Sequence, residues 1–449
     1  MTDIGELKRK ACAAIDARKP EIVRVAKHIL ENPETGFNER RTGAVVTHEF
    51  QKMGIPYRGK LARTGIKGRI EGGAGPGPTV GILGELDSLL AFEHPFADPD
   101  TGAAHACGHH AQIGMMLGAA MGLLSPDVLG ELSGAIVPFA VPAEEFVEVE
   151  RRLALRENGD IEFLGGKQEL IRLGEFDDID MAMMCHTASD MGARRFSIGG
   201  TSNGHMVKFV EYTGRGAHAG SAPHLGINAL NAANIAMAAI HANRETFREQ
   251  ETARVHGMVN RGGDVVNAVP ADVRLEWRVR SSTPEALVRN NARVDRCFKA
   301  GALAVGAKVR ITTIPGYFPL RHDPTLRDLF RSNAQEVVGR DRVLVISTSR
   351  NRGGSTDMGD LSQIMPICHP WTAGAAGPGH SKDYLIRDYD QAVINPAKIM
   401  AMVVIDLLAE DALGARKVLS ESRPSMTKDQ YISFQRQRAA VVDFDGGVE

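Results

Sequence analysis

Four short stretches of the sequence carry side chains that bind transition metals. They are HACGHH (residues 105–110), VPAEE (141–145), CH (185–186) and GPGH (377–380). Thiolate, imidazole and carboxylate groups are the zinc ligands of proteins, and imidazole with carboxylate oxygen also suits manganese. Each stretch stands beside a glycine turn or at the end of an apolar run. The four stretches together predict a metal centre that could activate water for hydrolysis.

Taken singly, these residues have other interpretations. A lone buried cysteine is usually a small apolar residue, and a histidine at a strand end is usually structural. Cys107 with His109 could act as a nucleophile and its base, but the neighbouring histidines and the glutamate pair fit a metal better. A metal-binding scaffold without catalysis needs no carboxylate beyond its ligands, so the spare Glu144 favours an enzyme.

The elements that position these residues are predicted to be buried strands. Residues 79–86, 134–141 and 179–184 are almost entirely apolar, which is typical of strands buried on both faces of a parallel sheet. Active sites of open α/β sheets lie at the carboxyl ends of the strands, where Glu144 and His186 fall. The pattern therefore predicts an α/β fold with a doubly wound catalytic domain.

The pattern changes after residue 197. Alternating segments, typical of half-exposed strands, and two helical segments follow in the order strand, helix, strand, strand, helix, strand. That order is the signature of a ferredoxin-like α+β sandwich. We therefore predict a catalytic domain formed by residues 1–197 and 318–449, with residues 198–317 inserted into it. The polar tail after about residue 416 is predicted to be an additional helix or a partly mobile segment.

The composition excludes several classes of protein. The chain has 449 residues, 43% of them apolar, which is enough for a large core. Its net charge of −2 provides no basic field for nucleic acid or an anionic membrane. The five cysteines are too few for a disulfide framework, and no uncharged apolar run approaches the ~18 residues of a membrane span. We expect a cytoplasmic protein without nucleic-acid or membrane partners.

The stretch HACGHHAQIGMMLGAA (105–120) resembles the metal-binding signature of the aminoacylase and carboxypeptidase metallohydrolases, peptidase family M20. The resemblance is strongest to the amidohydrolase branch, which contains auxin-conjugate and p-aminobenzoyl-glutamate hydrolases. Further motifs of the family are matched by GELDSL (84–89), PAEE (142–145), GRGAHAGSAPHLGINAL (214–230), VNAVP (266–270), GSTDMGDLS (354–362) and GPGH (377–380). The resemblance covers most of the chain and implies that residues 198–317 form a dimerisation domain.

The resemblance implies a role for each matched residue. The expected metal ligands are Cys107, His109, Glu145, His186 and His380. Cys107 takes the position that bridges two metals when both are bound. Glu144 is the expected general acid and base, and Asp87 is expected to orient a ligand. The implied cofactor is one or two divalent transition-metal ions, manganese or zinc.

Three further residues are expected to touch the small-molecule substrate. His218 is an expected catalytic residue. It reaches from the inserted domain of one subunit toward the active site of its partner, as its family counterpart does, and is expected to donate a hydrogen bond to the developing negative charge. Asn267 and Arg280 are expected to hold a substrate carboxylate, and the alternation of that strand leaves Arg278 as an alternative to Arg280. The resemblance thus implies a homodimer or a higher homo-oligomer.

The expected reaction is hydrolysis of a carbon–nitrogen bond. A divalent ion lowers the pKa of its bound water, and Glu144 accepts the proton. The favoured substrate is a small, carboxylate-bearing aromatic amide such as p-aminobenzoyl-glutamate, or an N-acyl amino acid. The alternative is hydrolytic deamination of an electron-poor aminobenzoate such as 5-nitroanthranilate, giving nitrosalicylate and ammonia. Two departures from the family pattern, His110 for Asp and Gln112 for His, keep that alternative open because they change the charge beside the metals.

Overall fold

A computed structural model describes residues 3–447 of the chain. The α-helices of this range are α1 (Ile4–Ala17), α2 (Lys19–Leu30), α3 (Arg40–Lys52), α4 (His109–Leu123), α5 (Pro126–Leu129), α6 (Val149–Glu157), α7 (Gly166–Arg172), α8 (Ala229–Asn243), α9 (Pro284–Val305), α10 (Pro324–Val338), α11 (Met358–Ile364), α12 (Asn395–Glu421) and α13 (Lys428–Arg438). The strands are β1 (Tyr57–Leu61), β2 (Gly65–Gly68), β3 (Ile70–Glu71), β4 (Thr79–Glu85), β5 (Leu89–Leu90), β6 (Ala103–Ala104), β7 (Ala135–Val141), β8 (Met181–Met183), β9 (His186–Thr187), β10 (Phe196–Thr201), β11 (Gly204–Thr213), β12 (Arg254–Arg261), β13 (Asp272–Ser281), β14 (Lys308–Pro315), β15 (Val343–Asn351), β16 (Ile367–Cys368), β17 (Trp371–Thr372), β18 (Ala375–Ala376), β19 (Leu385–Ile386) and β20 (Ala440–Asp445).

A seven-stranded sheet forms the centre of the predicted catalytic domain. Its strand order is β1-β2-β7-β4-β8-β16, and β3 pairs with β7. Strands β7, β4, β8 and β16 run parallel, whereas β1, β2 and β3 pair antiparallel. Helices α1, α2, α4 and α12 pack on one face, and α7, α11 and α13 pack on the other. The predicted α/β fold is confirmed, and every residue of β4 and β7 is buried because helices cover both faces of the sheet.

Small residues in helix α4 allow neighbouring helices to pack closely against it beside this sheet. All of its residues are buried, so it makes contacts on every side. A Cβ atom added at Gly118 would lie 3.0 Å from Ala397, and one added at Gly122 would lie 2.7 Å from Ile15. The glycines therefore allow α12 and α1 to approach the α4 backbone closely. This packing holds the first turn of α4, which contains His109, at the carboxyl end of the sheet.

A smaller four-stranded sheet connects the central sheet to the downstream part of the chain. Its order is β15-β10-β17-β9. Strand β9 contains His186 and runs parallel to β17, which contains Trp371. Strand β10 pairs parallel with β15 and antiparallel with β17. Because β10 belongs to this sheet, the sheet of the inserted segment begins only with β11.

The inserted segment forms an antiparallel sheet with α8 and α9 packed on one face. The sheet has five strands in the order β12-β13-β11-β14-β20. Strands β11, β12, β13 and β14 with the two helices follow the predicted order strand, helix, strand, strand, helix, strand. Its role in dimerisation stays a prediction.

The fifth strand of that sheet, β20, comes from the far end of the chain and was not predicted. Thr313 of β14 pairs with Ala440, and Lys308 pairs with Asp445. An ion pair of 2.7 Å between Arg310 and Asp443 supports the pairing. The tail after residue 416 thus joins both parts of the molecule, since α13 packs on the central sheet while β20 extends the inserted one. The sequence missed this strand because its partner lies more than a hundred residues away.

One helical stretch, residues 390–421, is long and apolar enough to cross a membrane. In the structure, 83% of its most apolar window is buried inside the protein. That burial is typical of a core helix, and α12 packs accordingly against α1, α4 and α10.

Candidate active site

The predicted metal-binding residues meet at the carboxyl end of the central sheet. Glu144 and Glu145 follow β7, and His186 begins β9 just after β8. Cys107 and His109 flank Gly108, which caps α4 with a left-handed φ of 90°. A Cβ atom at residue 108 would collide with the Thr187 hydroxyl, so this turn requires glycine.

The five expected ligands form two overlapping groups. Side-chain donor atoms of Cys107, His109 and His186 all lie within 4.8 Å of one another, and so do those of Cys107, Glu145 and His380. The Cys107 sulfur is 3.4 Å from His186 Nε2, and His380 Nε2 is 3.4 Å from Glu145 Oε1. Cys107 is shared by both groups, which is the geometry expected of a bridging ligand.

The donor atoms of this cluster fit a metal. His186 Nδ1 donates a hydrogen bond of 2.7 Å to the Thr187 carbonyl oxygen. His109 Nδ1 donates a hydrogen bond of 2.8 Å to the Asp87 carbonyl oxygen. Each ring therefore presents an unprotonated Nε2 when neutral, the form that binds metals. His109 Nε2 and Glu145 Oε1 are buried and accept no hydrogen bond from the described residues, although Glu85 Oε2 lies 3.0 Å from the first atom and His380 Nε2 lies 3.4 Å from the second. A divalent cation would satisfy both atoms.

Asp87 holds two of these residues in place. Besides its carbonyl contact with His109, its Oδ2 atom accepts a hydrogen bond of 2.8 Å from the Glu145 backbone nitrogen. Asp87 Oδ1 lies 3.3 Å from His109 Nδ1. The structure therefore places Asp87 behind the cluster, where the sequence expected an orienting residue.

The two adjacent glutamates have opposite ionisation preferences. Burial raises the pKa of Glu144 well above its usual range, and the charges of Glu85 and Glu145 add to this effect. Burial opposes ionisation of Glu145 as well, but His380 and His109 more than offset it and lower the pKa of Glu145. Glu144 is thus suited to carry a proton, whereas Glu145 is suited to remain an anionic ligand.

A buried ionic network behind His109 was not predicted. Lys167 is fully buried and forms ion pairs with Asp357 and, at 2.6 Å, with Glu85. Glu85 Oε2 lies 3.0 Å from His109 Nε2 and accepts a hydrogen bond of 2.8 Å from Gln112. Glu85 stands in the GELDSL motif without an assigned role, and the sequence contains no signal for Lys167.

The two departures from the family pattern lie outside the cavity next to the cluster. His110 is buried against His105, with ring centroids 5.4 Å apart, and against Tyr389. Gln112 reaches the cluster only through Glu85. Neither side chain lines the cavity. The changes at these positions therefore do not alter the walls that a substrate would touch.

A cavity of about 420 Å³ opens beside the metal-binding cluster. Its wall contains Cys107, Glu144, Glu145, Phe146, His186, His205, Arg278, Arg280, Tyr317, His322, Arg352, His369, Trp371, His380 and Tyr384, with smaller residues between them. This volume suits a small organic molecule. Both Arg278 and Arg280 line the cavity. Arg280 donates a hydrogen bond of 2.8 Å to Ser355 Oγ.

The predicted residues of the inserted segment do not reach this cavity within their own chain. His218 and Asn267 are exposed and lie side by side, since the Ala219 nitrogen donates to the Asn267 carbonyl. His218 Nδ1 accepts hydrogen bonds from the Gly220 and Ser221 nitrogens. Neither side chain lines the cavity. That His218 acts on a partner subunit stays a prediction.

Several cavity residues were missed by the sequence analysis. The guanidinium of Arg352 lies 5.4 Å from the centre of the Trp371 ring, whose centroid is 4.4 Å from that of His186. His369 and His322 line the same wall. One signal was available: the dipeptide Cys-His occurs at 185–186 and again at 368–369, each time at the end of a short apolar segment.

Residues 200–204 (GTSNG) match the Gly-x-Ser-x-Gly pattern of serine hydrolases. They connect β10 to β11, whereas a nucleophilic serine of that type stands between a strand and a helix. Ser202 Oγ is buried and has no hydrogen-bond partner among residues 3–447, so no base activates it there. The motif is therefore not a serine nucleophile.

A cluster of metal ligands with one spare, proton-carrying glutamate, placed where parallel strands end, defines a metallohydrolase. A family model described as peptidase family M20/M25/M40 matches residues 81–404. The chain belongs to this family. The predicted resemblance and the prediction of a metal-dependent carbon–nitrogen hydrolase are thus confirmed.

Similar proteins agree with this assignment. Xaa-Arg dipeptidase of Mus musculus is 28% identical over 442 residues, which cover 92% of this chain and 91% of that protein. IAA-amino acid hydrolase ILR1-like 4 of Arabidopsis thaliana is 24% identical, covering 77% of this chain and 75% of the relative. The aminobenzoyl-glutamate utilization protein of Klebsiella pneumoniae superposes with a TM-score of 0.66 at 18% identity, covering 89% of this chain and 98% of that one. A dinuclear metal-binding M20 peptidase of Bacillus subtilis superposes with a TM-score of 0.63 at 19% identity, covering 89% of this chain and 100% of that one. The protein is a metal-dependent hydrolase of amide or peptide bonds.

Proposed function

We propose that the protein hydrolyses the amide bond of a small aromatic carboxylate, such as p-aminobenzoyl-glutamate or a related N-acyl amino acid. The supporting observation is the composition of the cavity wall. The metal-binding cluster lies at one side, and Arg278 and Arg280 supply positive charge on the wall that β13 contributes. Aromatic rings such as Trp371 and Tyr384 line the space as well.

The arginines give the cavity its preference for an anion. A guanidinium binds a carboxylate through two parallel hydrogen bonds, which also fixes the direction of the substrate. Arg280 is already held by Ser355 and by His256, whose Nε2 lies 3.1 Å from Arg280 Nε. An arginine fixed in this way loses little side-chain entropy when the substrate binds. The carboxylate is therefore expected on Arg280, with Arg278 beside it.

Aromatic rings favour a flat substrate. The rings of His186 and Trp371 lie against each other, and Phe146 packs with its ring centroid 5.7 Å from that of Tyr317. Flat apolar surfaces of this kind bind an aryl group through offset stacking or edge contacts. An aryl carboxylate amide presents both a ring and an anion, and so matches the wall better than an aliphatic peptide does.

The chain supplies the proton transfers. A bound divalent ion lowers the pKa of a water molecule and polarises the substrate carbonyl. Glu144 accepts a proton on its carboxylate and later returns it to the departing nitrogen. Burial of Glu144, which raises its pKa, favours the protonated side chain between these two events. Asp87 keeps His109 and Glu145 in position throughout.

The metals themselves are proposed to be manganese or zinc, one or two ions per subunit. Cys107 would be shared by both ions, His109 and His186 would complete one site, and Glu145 and His380 the other. A thiolate favours zinc, while imidazole and carboxylate also accept manganese. Burial raises the pKa of the Cys107 thiol well above its usual range, so this residue becomes a thiolate only when a cation is present.

We also propose a homodimer or a higher homo-oligomer that forms through the inserted segment. Apolar side chains are exposed beside His218 and Asn267: Leu225 is 57% exposed, Val265 59% and Val266 fully exposed. A single exposed apolar residue is ordinary, but a group of them next to polar residues is typical of an interface. An oligomer would cover these side chains and allow His218 to approach a neighbouring active site.

A panel of substrates tests the proposal. The metal-loaded enzyme is assayed with p-aminobenzoyl-glutamate, N-acetyl amino acids and 5-nitroanthranilate, and the release of amine and of ammonia is measured separately. We expect amine release from the aromatic amide, and release at least about 10²-fold slower from the Glu144→Gln variant used as a control. Ammonia release from the aminobenzoate without amide cleavage would replace the proposal with the deamination. That reaction lacks support from His110, because this residue lies outside the cavity.

A further inference from the structure

A histidine outside the ligand set, His369, lies beside the metal-binding cluster. It follows β16 as His186 follows β8, and these two strands are parallel neighbours in which Cys368 pairs with Met183. The ring of His369 is 1% exposed, and its centroid lies 6.0 Å from that of His186. His369 lines the same cavity as the expected ligands. Its position next to them brings it close to any bond that the cluster would cleave.

The hydrogen bonding of His369 determines which of its nitrogens carries the proton. Its Nδ1 atom lies 3.0 Å from the Met184 carbonyl oxygen, which can only accept a hydrogen bond. The neutral ring therefore presents an unprotonated Nε2. This nitrogen is buried and has no hydrogen-bond partner among the described residues. A buried acceptor without a partner is destabilising, which indicates that a donor occupies this position when the site is filled.

A second histidine has the complementary arrangement. His322 Nδ1 accepts a hydrogen bond of 3.2 Å from the backbone nitrogen of His369. The neutral ring of His322 therefore carries its proton on Nε2, and within residues 3–447 that Nε2 atom has no partner either. One wall of the cavity thus offers an acceptor on His369 and a donor on His322.

The chemistry of the cavity limits which kind of group can bind His369 Nε2. His369 belongs to no metal-binding group among the described residues, so it is not indicated as a further metal ligand. An unprotonated nitrogen repels a carboxylate, and the arginines already provide sites for that group. A nitrogen-bound hydrogen of the substrate fits, and an amide hydrolase brings one to the cluster with every secondary amide.

We propose that His369 Nε2 accepts a hydrogen bond from the N–H group of the scissile amide and thereby selects secondary amides over N-alkylated ones. This inference rests on the proposed amide hydrolysis. His369 would act as a specificity residue: it positions the amide nitrogen, while Glu144 transfers the proton. His322 would donate its Nε2 hydrogen to an acceptor on the same substrate, which fixes the orientation of the amide plane.

The test compares two substrates that differ by one methyl group. The probes are p-aminobenzoyl-glutamate and its analogue methylated on the amide nitrogen. The ratio of their kcat/KM values is measured for the metal-loaded wild type, for His369→Phe and His369→Met, and for His28→Phe as a matched control on an exposed helix residue. Dissociation constants are measured by calorimetry in the Glu144→Gln background, with and without His369→Phe.

We expect the wild type and the His28→Phe control to prefer the secondary amide by about tenfold or more, since methylation leaves a buried acceptor unpaired. Both His369 variants should lower this preference to near one, and His369→Phe should lower the ratio of dissociation constants as well. Metal content should not change.

Several results would overturn the inference. A wild-type ratio near one would do so without any variant, even if both variants failed to fold. A preference that persists in His369→Phe or His369→Met would mean that the methyl group is rejected sterically and that His369 contacts only a water. If neither amide is hydrolysed while another substrate of the panel is, the proposed function itself fails, and the two failures are thus distinguishable.

Discussion

The sequence assigned residues of the metal-binding cluster at the strand ends (the strand-end cluster) and of the inserted segment to the same active site. In the structure, only those of the strand-end cluster lie together at the cavity. Cys107, His109 and His186 follow strands of the central sheet or lie in the turn at the start of α4, and their donor atoms all lie within 4.8 Å of one another. His218 and Asn267 belong to the inserted segment, and both remain exposed and away from the cavity. Residues of one rigid sheet are brought together by the fold of a single chain. Residues on a separate sheet need a further event, either closure or the approach of another subunit.

The two regions also differ in how they stabilise charge. In the strand-end cluster, carboxylates and imidazoles are buried, and several of their atoms lack protein partners. In the inserted segment, charges such as Arg261 and Asp272 pair at the surface, where each ion pair contributes little. A region with unsatisfied buried polar atoms is suited to bind a ligand, whereas a region with paired surface charges is suited to contact solvent or a protein partner.

Removal of metal should have the largest effect on activity. If activity did not change, the contrast between the metal-binding cluster and the inserted segment would be wrong. Exhaustive chelation should abolish activity, because the cluster has no other means to activate water at neutral pH. Manganese or zinc should restore activity on addition. Activity is assayed together with elemental analysis. Full turnover by a protein without detectable metal would show that the strand-end cluster is not the catalytic centre.

Substitutions of the two adjacent glutamates should distinguish their roles within the cluster. Glu144→Gln should lower kcat by about 10² to 10⁴ while metal content stays at the wild-type level, because only the proton carrier is lost. Glu145→Gln should lower metal content, since it removes a ligand charge. Each variant serves as the control for the other. Loss of metal from Glu144→Gln, or normal turnover by it, would reverse the assigned roles.

His218 should show whether the inserted segment works on a neighbouring subunit. His218→Ala should lower kcat by about 10² without loss of metal, the effect expected when one hydrogen-bond donor to a developing negative charge is removed. Subunits of His218→Ala mixed with subunits of Glu144→Gln should regain activity, because a mixed oligomer contains one site with both residues intact.

Light scattering measures the mass of the oligomer in the same samples, and co-purification of the two variants, each carrying a different affinity tag, measures subunit exchange. If subunits exchange and activity does not return, His218 acts on its own chain or has no catalytic role. A monomeric protein with full activity would equally contradict the oligomer proposal.

The smallest effect is expected at a buried carboxyl group that lies outside the site. Burial raises the pKa of Asp360 to about 8, although Tyr431 donates to it a hydrogen bond of 2.7 Å. In the unfolded chain the Asp360 carboxyl ionises near pH 3.9. Between about pH 4 and pH 8, the folded protein therefore binds one proton that the unfolded chain has released. Asp360 therefore contributes stability at low pH that is lost as pH rises toward 8, at up to about 1.4 kcal/mol for each pH unit.

Urea unfolding at pH 5, 6.5 and 8 tests this prediction at constant metal concentration. Between pH 5 and pH 8, the unfolding free energy of Asp360→Asn should fall by a few kcal/mol less than that of the wild type. Metal content should not change. Asp429→Asn, at an exposed position of α13, should behave as the wild type. An unchanged slope in Asp360→Asn would mean that this carboxyl group is ionised in the folded protein.

Much of the central sheet and of the site could be read from local patterns. The apolar runs ending in Glu144 and His186 predicted buried strands, and the order of alternating segments between 206 and 313 matches β11 to β14. The five expected ligands could be predicted because each stands in a short motif with restricted geometry. Glu85 and Lys167 were missed because an ionic pair between residues 82 positions apart leaves no local pattern.

The sequence by itself determined the class of chemistry, since the types and spacing of Cys107, His109, Glu144 and Glu145 allow few other uses. Only the tertiary structure decided what surrounds them. It placed His110 outside the cavity, brought Arg352, His322 and His369 into its wall, and joined β20 to the inserted sheet. The physical reason is the range of the forces involved. Turn geometry and strand burial depend on neighbours in the chain, whereas the partners of a buried charge or of an edge strand depend on how distant segments pack.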